Sequence, residues 1–366
     1  MREYLSLIMK VTSKCTLACS YCQYIPLSSS DNGNLFMNRD VLYKSISEIM
    51  SLHLKRITFI WHGGEPLLVG KSFYEDAIDF QKKNQKQHQQ IVNNIQTNAT
   101  ILNKEWIDFF QKNNFNISIS IDGPPEIHNR HRINLSTKGS FAKVMRSVDL
   151  LKAENVKFGS LSVVTKDSAN NAKEIYNFFK TNDFKYFDFL PCIELRRNTG
   201  KIIGASITPY KFADFMTQIF DLWIKDDNPN IHIRYFDNIL TNFLGGKSTL
   251  CKFTGNCGSF LTINYNGDVY PCDNFIGYSD LKFGNIVVDE LKTILESEKY
   301  NTFLDRVNAI NSDCTGCEWY HICKGGCPFF SFIFNQDFSD RNYLCEARKR
   351  IFKHVEGKIK GIIYAF

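Results

Sequence analysis

Cysteines are the residues of this chain whose number and spacing point most directly to chemistry. The 366 residues include 12 cysteines, which form an N-terminal group and a C-terminal group with Cys192 between them. In a reducing compartment, clustered cysteines more often bind metal or take part in catalysis than form disulfides. Because the two groups lie far apart in the chain, we expect them to serve two separable tasks.

The N-terminal group contains three cysteines, Cys15, Cys19 and Cys22, with three and two residues between them. Three thiolates can bind three irons of a [4Fe–4S] cube and leave the fourth iron without a protein ligand. An open coordination position is what a catalytic metal site needs. A structural zinc site with a remote fourth cysteine is the alternative that the spacing leaves open.

Short apolar runs alternate with helical stretches from residue 5 to about residue 225. Strands are predicted over residues 5–9, 56–61, 94–97, 116–121, 157–164 and 186–191. Helices are predicted over residues 39–52, 71–83, 104–113, 139–153, 169–181 and 210–224. This alternation indicates an α/β fold with a parallel sheet and with functional residues on the loops that follow the strands. Periodicity alone does not distinguish a partial barrel from a doubly wound sheet.

Polar residues follow three of the predicted strands. Gly63, Gly64 and Glu65 end the second strand. Glycine lets a backbone approach a ligand closely, and a carboxylate accepts hydrogen bonds from an amino group. Four further residues end the third and fourth strands: Thr97, Asn98, Ser120 and Asp122. A plain Gly-Gly turn, helix capping and loop bracing are the alternatives for these residues.

Together, these motifs resemble the signature of the radical SAM superfamily. The three N-terminal cysteines, with Tyr21 before the last of them, are followed one strand later by Gly63-Gly64-Glu65-Pro66. The resemblance implies a partial (β/α)6 barrel whose open iron chelates S-adenosylmethionine (SAM), and reduction of the cluster then yields a 5′-deoxyadenosyl radical that abstracts a substrate hydrogen. The residues implied to bind SAM are Gly63, Gly64, Glu65, Thr97, Asn98, Ser120 and Asp122.

The C-terminal group contains eight cysteines among many glycines and short apolar runs, which is typical of a domain organised by metal sites. Eight thiolates suffice for two fully ligated [4Fe–4S] clusters. The spacings resemble those of the SPASM domain. The resemblance implies that auxiliary cluster I is bound by Cys251, Cys257, Cys272 and Cys327. It implies that auxiliary cluster II is bound by Cys314, Cys317, Cys323 and Cys345.

Spacing alone gives the number of ligands but not this pairing, and zinc at one of the two sites is the alternative. Cys192 is left over, and we expect it to be a buried structural thiol. The expected cofactors are therefore three [4Fe–4S] clusters and SAM. The expected domains are a radical SAM partial barrel at residues 1–230 and a SPASM domain with a C-terminal helix at residues 231–366.

The resemblance is greatest to anaerobic sulfatase-maturating enzymes and to SPASM maturases of ribosomally made peptides. In sulfatase-maturating enzymes the aspartate after the third ligand of cluster I acts as a general base, which makes Asp273 the implied catalytic residue. A turn-forming role is its alternative. His62 stands where those enzymes have Gln. It is either a substrate contact, a titrating group or a hydrogen-bonded structural residue.

The sequence therefore predicts an oxidoreductase that modifies a side chain within a peptide or protein and receives electrons from an external flavodoxin or ferredoxin. Trp61 and His62 favour a ribosomal-peptide (RiPP) maturase that forms a side-chain cross-link. The alternative is a sulfatase-maturating enzyme that converts Cys or Ser to formylglycine. An electron carrier and a zinc-ribbon interaction module are the non-catalytic alternatives, and the open three-cysteine site disfavours the electron carrier.

Charge and hydropathy argue against several classes of partner and location. The net charge is +6, from 44 basic and 38 acidic residues, and no dense basic block indicates nucleic-acid binding. The N-terminal apolar run is short and flanked by charges, unlike a secretory signal. No stretch approaches the roughly 18 apolar residues of a membrane span. We expect a cytoplasmic protein without a membrane segment.

Overall fold

The structure is a computed structural model that describes residues 3–23, 35–196 and 201–363. The strands are β1 Tyr4–Thr12, β2 Arg56–Gly63, β3 Gln90–Thr97, β4 Phe115–Ser120, β5 Phe158–Val164, β6 Tyr186–Pro191, β7 Glu194–Arg196, β8 Lys201–Ile203, β9 His232–Ile233, β10 Phe260–Ile263, β11 Asp268–Tyr270 and β12 Gly284–Asn285. The helices are α1 Arg39–Ser51, α2 Lys71–Asn84, α3 Lys104–Lys112, α4 Pro125–His131, α5 Phe141–Ala153, α6 Ala172–Thr181, α7 Pro209–Asp226, α8 Arg234–Phe243, α9 Cys251–Thr254, α10 Leu291–Glu296, α11 Glu298–Asn308, α12 Tyr320–Cys323, α13 Phe329–Phe332 and α14 Cys345–Ile363.

The six predicted strands and six predicted helices are all present, and the α/β class is confirmed. The largest difference at a helix start concerns α6, which begins at Ala172 rather than at residue 169. The preceding residues form a turn instead, because Ser168 Oγ accepts a hydrogen bond from Thr165 N at 2.9 Å. Side chains of this kind compete with the backbone bonds of a helix and favour turns.

One compact unit comprises Met1–Ser120, Arg132–Phe158 and Gly258–Asp305. Its strands run in the order β12-β11-β10-β1-β2-β3-β4, and the pairs from β10 to β4 are parallel. Strands of a parallel sheet are covered on both faces, which explains why nearly every residue of β1 is buried. The four-residue strand β10 was not among the strands that the sequence predicted.

Helix caps and aromatic packing hold this unit together. Asn38 caps α1 by accepting a hydrogen bond from Val41 N at 2.9 Å, and Asn103 caps α3 in the same way. Trp61 of β2 is fully buried, and its ring nitrogen donates to Asn93 Oδ1 of β3 at 2.9 Å. The polar end of a buried indole is satisfied in this way, so that its apolar surface packs without an energetic penalty.

A second compact unit comprises Ile121–His131, Gly159–Cys257 and Arg306–Phe366. Within it, β5, β6 and β9 pair in parallel, and β7 and β8 form an antiparallel hairpin. Helix α14 is joined to α7 by an ion pair between Arg350 and Asp214 at 2.7 Å and by a hydrogen bond between His354 Nε2 and Asp221 Oδ1 at 2.8 Å. Across the described part of the chain, every helix is too short or too polar to cross a membrane.

Candidate active site

The three N-terminal cysteines lie on the loop that follows β1. This loop is held by backbone hydrogen bonds from Ala18 N to Ile133 O at 2.7 Å and from Cys22 N to Cys19 O at 3.0 Å. Leu17 N donates to Cys15 Sγ at 3.4 Å. Burial raises the pKa of the Cys15 thiol to about 11. This thiol therefore keeps its proton unless a metal replaces it, as expected of a metal ligand.

Gly63 and Gly64 join the end of β2 to the cysteine loop. The Gly64 amide donates to Thr12 O and the Glu65 amide donates to Lys14 O, both at 2.8 Å. A Cβ atom on Gly64 would lie 2.2 Å from Lys14 O, and one on Gly63 would lie 2.4 Å from Thr12 O. The sequence suggested that these glycines admit a ligand. In the structure they admit the backbone of the cysteine loop, which fixes Glu65 relative to Cys15, and their role in binding SAM stays a prediction.

Glu65 is fully buried beside this loop. Its carboxylate accepts hydrogen bonds from Thr97 Oγ1 at 2.7 Å, Asn98 N at 2.8 Å and Leu67 N at 3.1 Å. Burial raises the pKa of Glu65 to about 7, and these hydrogen bonds oppose the rise. Among the described residues no cation forms an ion pair with Glu65. A buried carboxylate of this kind is suited to an amino group that comes from a ligand.

Asn98 connects Glu65 to the cysteines. Its backbone amide bonds the carboxylate, and its side-chain amide donates to Cys15 Sγ at 3.4 Å. The structure therefore brings together four of the predicted residues, Cys15, Glu65, Thr97 and Asn98. Together with the fixed glycine backbone, this donor set fits a cluster that carries a chelated amino acid.

Ser120 and Asp122 both bond to neighbouring protein groups, and their role in binding SAM stays a prediction. Ser120 Oγ accepts a hydrogen bond from Gln96 Nε2 at 3.0 Å. Asp122 lies in the second unit, is almost fully buried, and accepts a hydrogen bond from Val163 N at 2.9 Å. Ser162 Oγ also donates to the Asp122 carbonyl, at 3.2 Å. These contacts of Asp122 are the ones that the loop-bracing alternative describes.

Lys10 is a site residue that the sequence analysis missed. It is 3% exposed and is the register partner of His62 across β1 and β2. Burial lowers the pKa of Lys10 to about 8, while Asp273, Cys22 and Cys15 oppose the shift. The signal for Lys10 was present in the sequence, since a charge inside an otherwise apolar strand must find a partner in the interior.

His62 is a neutral imidazole in this environment. Burial, followed by the Lys10 ammonium, lowers the pKa of His62 to about 4, while Asp273 opposes the shift. His62 Nδ1 accepts a hydrogen bond from Gly63 N at 2.8 Å. Of the three alternatives for His62, this contact fits the hydrogen-bonded structural residue. Asp273 itself begins a short 3-10 turn directly after Cys272, in the same unit as Lys10 and His62.

Four C-terminal cysteines line one cavity of the second unit: Cys314, Cys317, Cys323 and Cys345. Burial raises the pKa of Cys314, and the three other thiols raise it further. Arg348, which the sequence analysis also missed, lines the same cavity. Its signal was its position three residues after Cys345 on a helix, because residues at that spacing share a face.

Three more cysteines, Cys251, Cys257 and Cys327, influence one another within the second unit. Burial raises the pKa of Cys327 to about 12, and the charge of Cys251 adds to the shift. Cys257 has its pKa raised by burial and by both of these thiols. Cys272, the remaining predicted ligand, lies in the first unit. Cys192 is 4% exposed, so the expected buried thiol is confirmed.

The thiols are not gathered around single-ion positions. In the ranges 3–23, 35–196 and 201–363, no three His, Cys, Asp or Glu side chains converge on one metal ion. A [4Fe–4S] cube takes one thiolate per iron, so that its ligands surround the cube rather than a shared ion.

Two family profiles match the chain. Residues 9–179 match the radical SAM superfamily, and residues 251–318 match SPASM, described as an iron–sulfur cluster-binding domain. The predicted partial barrel with a C-terminal SPASM domain is thereby confirmed, together with the iron–sulfur and SAM chemistry of these domains.

Known relatives extend over nearly the whole chain. The cysteine-type anaerobic sulfatase-maturating enzyme of Clostridium perfringens (strain 13 / Type A) is 33% identical over 96% of this chain and 96% of its own. The serine-type enzyme of Bacteroides thetaiotaomicron is 34% identical over 95% of this chain and 88% of its own. The solved structure of native anSMEcpe with bound AdoMet and Cp18Cys peptide matches with a TM-score of 0.89 and 32% identity, over 99% of this chain and 100% of that chain. The chain belongs to the radical SAM superfamily, and it is a SPASM-domain enzyme of the family that contains the anaerobic sulfatase-maturating enzymes.

Proposed function

We propose that this enzyme is an anaerobic sulfatase-maturating enzyme, which oxidises a Cys or Ser side chain within a sulfatase polypeptide to formylglycine. The observation that carries the proposal is the similarity to such enzymes at one third identity over nearly the full length of both chains. A solved relative with both AdoMet and a peptide bound supports a peptidyl substrate.

The cross-linking RiPP maturase that the sequence favoured fits less well than this alternative. That preference rested on Trp61 and His62. Trp61 is buried in the sheet, where it bonds Asn93. His62 accepts a hydrogen bond from the neighbouring Gly63 amide. Neither contact argues for a cross-linking substrate, whereas the relatives with full-length similarity favour formylglycine formation.

The proposed cofactors are SAM and three [4Fe–4S] clusters. The N-terminal cluster would be held by Cys15, Cys19 and Cys22, with Glu65 accepting hydrogen bonds from the amino group of SAM. The common cavity of Cys314, Cys317, Cys323 and Cys345 supports their assignment to auxiliary cluster II. Cluster I would take Cys251, Cys257, Cys272 and Cys327. When bound, these groups supply abstraction of a hydrogen atom and uptake of a second electron.

Asp273 would complete the oxidation as the general base. Conversion of a –CH2–XH side chain, where X is O or S, to –CH=X removes one hydrogen atom, one proton and one electron. A serine then yields the aldehyde directly, and the sulfur analogue yields it by hydrolysis with release of hydrogen sulfide. The proton would pass from the X–H group to the Asp273 carboxylate. Asp273 attracts the Lys10 ammonium and opposes the lowering of the Lys10 pKa by burial.

A low-potential flavodoxin or ferredoxin in the cytoplasm is the proposed electron donor. It would bring the N-terminal cluster to its reduced state, and we propose no role for nucleic acid or membrane.

The test is mass spectrometry of two sulfatase-derived peptides that differ only in Cys or Ser at the target position. Each is incubated anaerobically with reconstituted enzyme, SAM and reductant. Formylglycine formation appears as the loss of two hydrogen atoms from the serine peptide, or as that loss with exchange of sulfur for oxygen in the cysteine peptide. An aldehyde-specific hydrazide label separates formylglycine from a cross-link. Release of 5′-deoxyadenosine with both peptides unchanged would refute the proposal.

A further inference from the structure

Arg348 on α14 is a buried cation among cysteine thiols. It is 5% exposed and lines the cavity that contains Cys314, Cys317, Cys323 and Cys345. Its Nε donates a hydrogen bond to Cys323 Sγ at 3.1 Å, and its Nη2 donates to the Gly325 carbonyl at 3.2 Å. A guanidinium cannot lose its proton in a protein, so that this side chain carries its charge into the interior.

No carboxylate in the described part of the chain compensates this charge. Within the described residues, Arg348 forms no ion pair with Asp or Glu. Other arginines of the same region differ in this respect. Arg341 also faces Cys345, but it is half exposed and is paired with Asp313 and Glu346. Burial of an unpaired cation is costly. The arrangement at Arg348 is therefore suited to an anion at the thiol cavity that the chain itself does not supply.

The backbone is shaped around the guanidinium. A Cβ atom on Gly326 would lie 2.4 Å from Arg348 Cζ, and Gly326 has a φ of +78°. Any larger residue at this position would displace the guanidinium from Cys323. The position of Arg348 is thus set from two sides, by its own hydrogen bonds and by the glycine beneath it.

We propose that Arg348 is the counter-cation of auxiliary cluster II and raises the reduction potential of that cluster through its hydrogen bond to Cys323. The inference rests on the proposed assignment of Cys314, Cys317, Cys323 and Cys345 to this cluster. Arg348 is a positioning residue in this role, since it acts on the cluster through a ligand.

The direction of the shift in reduction potential follows from charge. A cluster gains negative charge on reduction, so that a nearby fixed cation and a hydrogen bond to a ligand sulfur stabilise the reduced form more than the oxidised form. Removal of Arg348 therefore lowers the potential. By the same effect, the native cluster accepts an electron more readily than a cluster whose surroundings are neutral, which suits it to receive the electron that leaves the substrate.

The experiment is a redox titration monitored by electron paramagnetic resonance. The full-length parent carries Cys15→Ala, Cys19→Ala and Cys22→Ala, so that only auxiliary clusters contribute to the signal. The signal of cluster II is the one that Cys345→Ala removes. Three substitutions are compared in this parent. Arg348→Met removes the charge and both hydrogen bonds, and Arg348→Lys keeps the charge. Arg350→Met removes an exposed charge from the same helix, α14, where Arg350 is paired with Asp214 of α7.

We expect Arg348→Met to shift the midpoint of cluster II to a more negative potential and Arg348→Lys to shift it less. Arg350→Met should leave it in place, and the midpoint of cluster I should move less than that of cluster II in every variant. A retained cluster II with an unchanged midpoint in Arg348→Met overturns the proposal. If that variant loses cluster II, the lysine variant decides: a lowered midpoint supports the proposal, whereas an unchanged midpoint or loss of the cluster overturns it.

Failure of this inference is distinguishable from failure of the proposed function. A parent protein without any auxiliary iron–sulfur signal would overturn the cluster assignment and the inference together. If the parent has two auxiliary clusters and their midpoint potentials do not change when Arg348 is replaced, the inference alone is overturned.

Discussion

Lys10 of β1 lies beside His62 of β2 in the parallel pairing, and burial together with this ammonium lowers the pKa of the imidazole to about 4. His62 is therefore neutral at the pH of any ordinary assay. We expect His62→Gln to change product formation by less than about threefold, or roughly 0.7 kcal/mol. The pH profile between about pH 6 and about pH 9 should keep its shape. The exposed His88→Gln is the control, and loss of an acidic limb in the His62 variant alone would contradict this assignment.

The Glu65 carboxylate predicts a pH dependence of SAM binding. Its pKa is raised to about 7, so that it becomes protonated as the pH falls through 7 and loses the charge that attracts the amino group. Between pH 8 and pH 6 the ionised fraction falls about tenfold, and affinity should fall by a similar factor. Anaerobic equilibrium binding of SAM measures this. In Glu65→Gln we expect weak SAM binding at both pH values. The exposed Glu105→Gln variant is the control and should bind SAM as the wild type does. A wild-type affinity that is equal at pH 8 and pH 6 would contradict the role of Glu65.

The same raised pKa bears on stability. A carboxyl whose pKa is higher in the folded state than the ordinary value of 4.5 prefers to be protonated when folded. Its unfavourable contribution to the free energy of folding is absent below about pH 4.5 and grows until about pH 7. The metal-free Glu65→Gln variant should therefore lose less stability than the wild type as the pH rises over this range. Urea unfolding at several pH values measures the difference. An identical pH dependence in wild type and variant would exclude this carboxyl as a cause.

Gly64→Ala tests the contact between the glycine turn and the cysteine loop. The added Cβ would lie 2.2 Å from Lys14 O, and overpacking of this kind costs about 1–3 kcal/mol. The free energy of unfolding of the metal-free protein, measured with urea, should fall. The iron content after reconstitution should fall as well. Gly357→Ala is the matched control, because this helical glycine has open space around it and its replacement should be neutral or stabilising by up to about 1 kcal/mol. Equal behaviour of the two variants would contradict the close approach at Gly64.

A comparison of Cys317→Ala with Cys192→Ala should distinguish a thiol that binds a cluster from a thiol that is only structural. Loss of Cys317 should reduce iron content and the melting temperature of the reconstituted protein, because cluster binding is coupled to folding. Cys192 is buried and lies outside the proposed ligand set, so its loss should leave iron content unchanged. Iron analysis and thermal unfolding of both variants provide the measurement. Undiminished iron in Cys317→Ala would argue against auxiliary cluster II.

Asp273→Asn should uncouple SAM cleavage from product formation. The amide cannot accept the substrate proton, and loss of a general base typically costs about 10²–10⁴-fold in rate. We expect 5′-deoxyadenosine release to continue while formylglycine falls by that factor, with both products quantified from the same reaction. The exposed Asp280→Asn is the control. Parallel loss of both products in Asp273→Asn would assign this residue to the SAM site instead.

Motifs in the sequence predicted more of the site than of its surroundings. The cysteines, Glu65 and the strand ends were found because their residue types and spacing are local properties of the chain. Lys10 and Arg348 were missed although the sequence carried a signal for each, because tertiary packing decides whether such a residue is buried. The close approach of Gly64 to the cysteine loop was also not predicted, since the backbone that Gly64 approaches comes from a segment far away in the sequence. The short strand β10 was missed for the same reason, because it is supported by pairing with the distant strand β1 as well as with β11.

The hydrogen bonds from Gly64 to Thr12 and from Glu65 to Lys14 have a consequence for recombination between relatives. These two short segments interlock through main-chain atoms at distances that leave no space for a side chain. A chimera that inherits one segment from one parent and the other from a distant parent would have to reproduce both backbone paths. Residues 12–15 and 63–65 therefore form a single exchangeable module, and crossover points in a shuffled library belong outside both segments or in pairs that move them together.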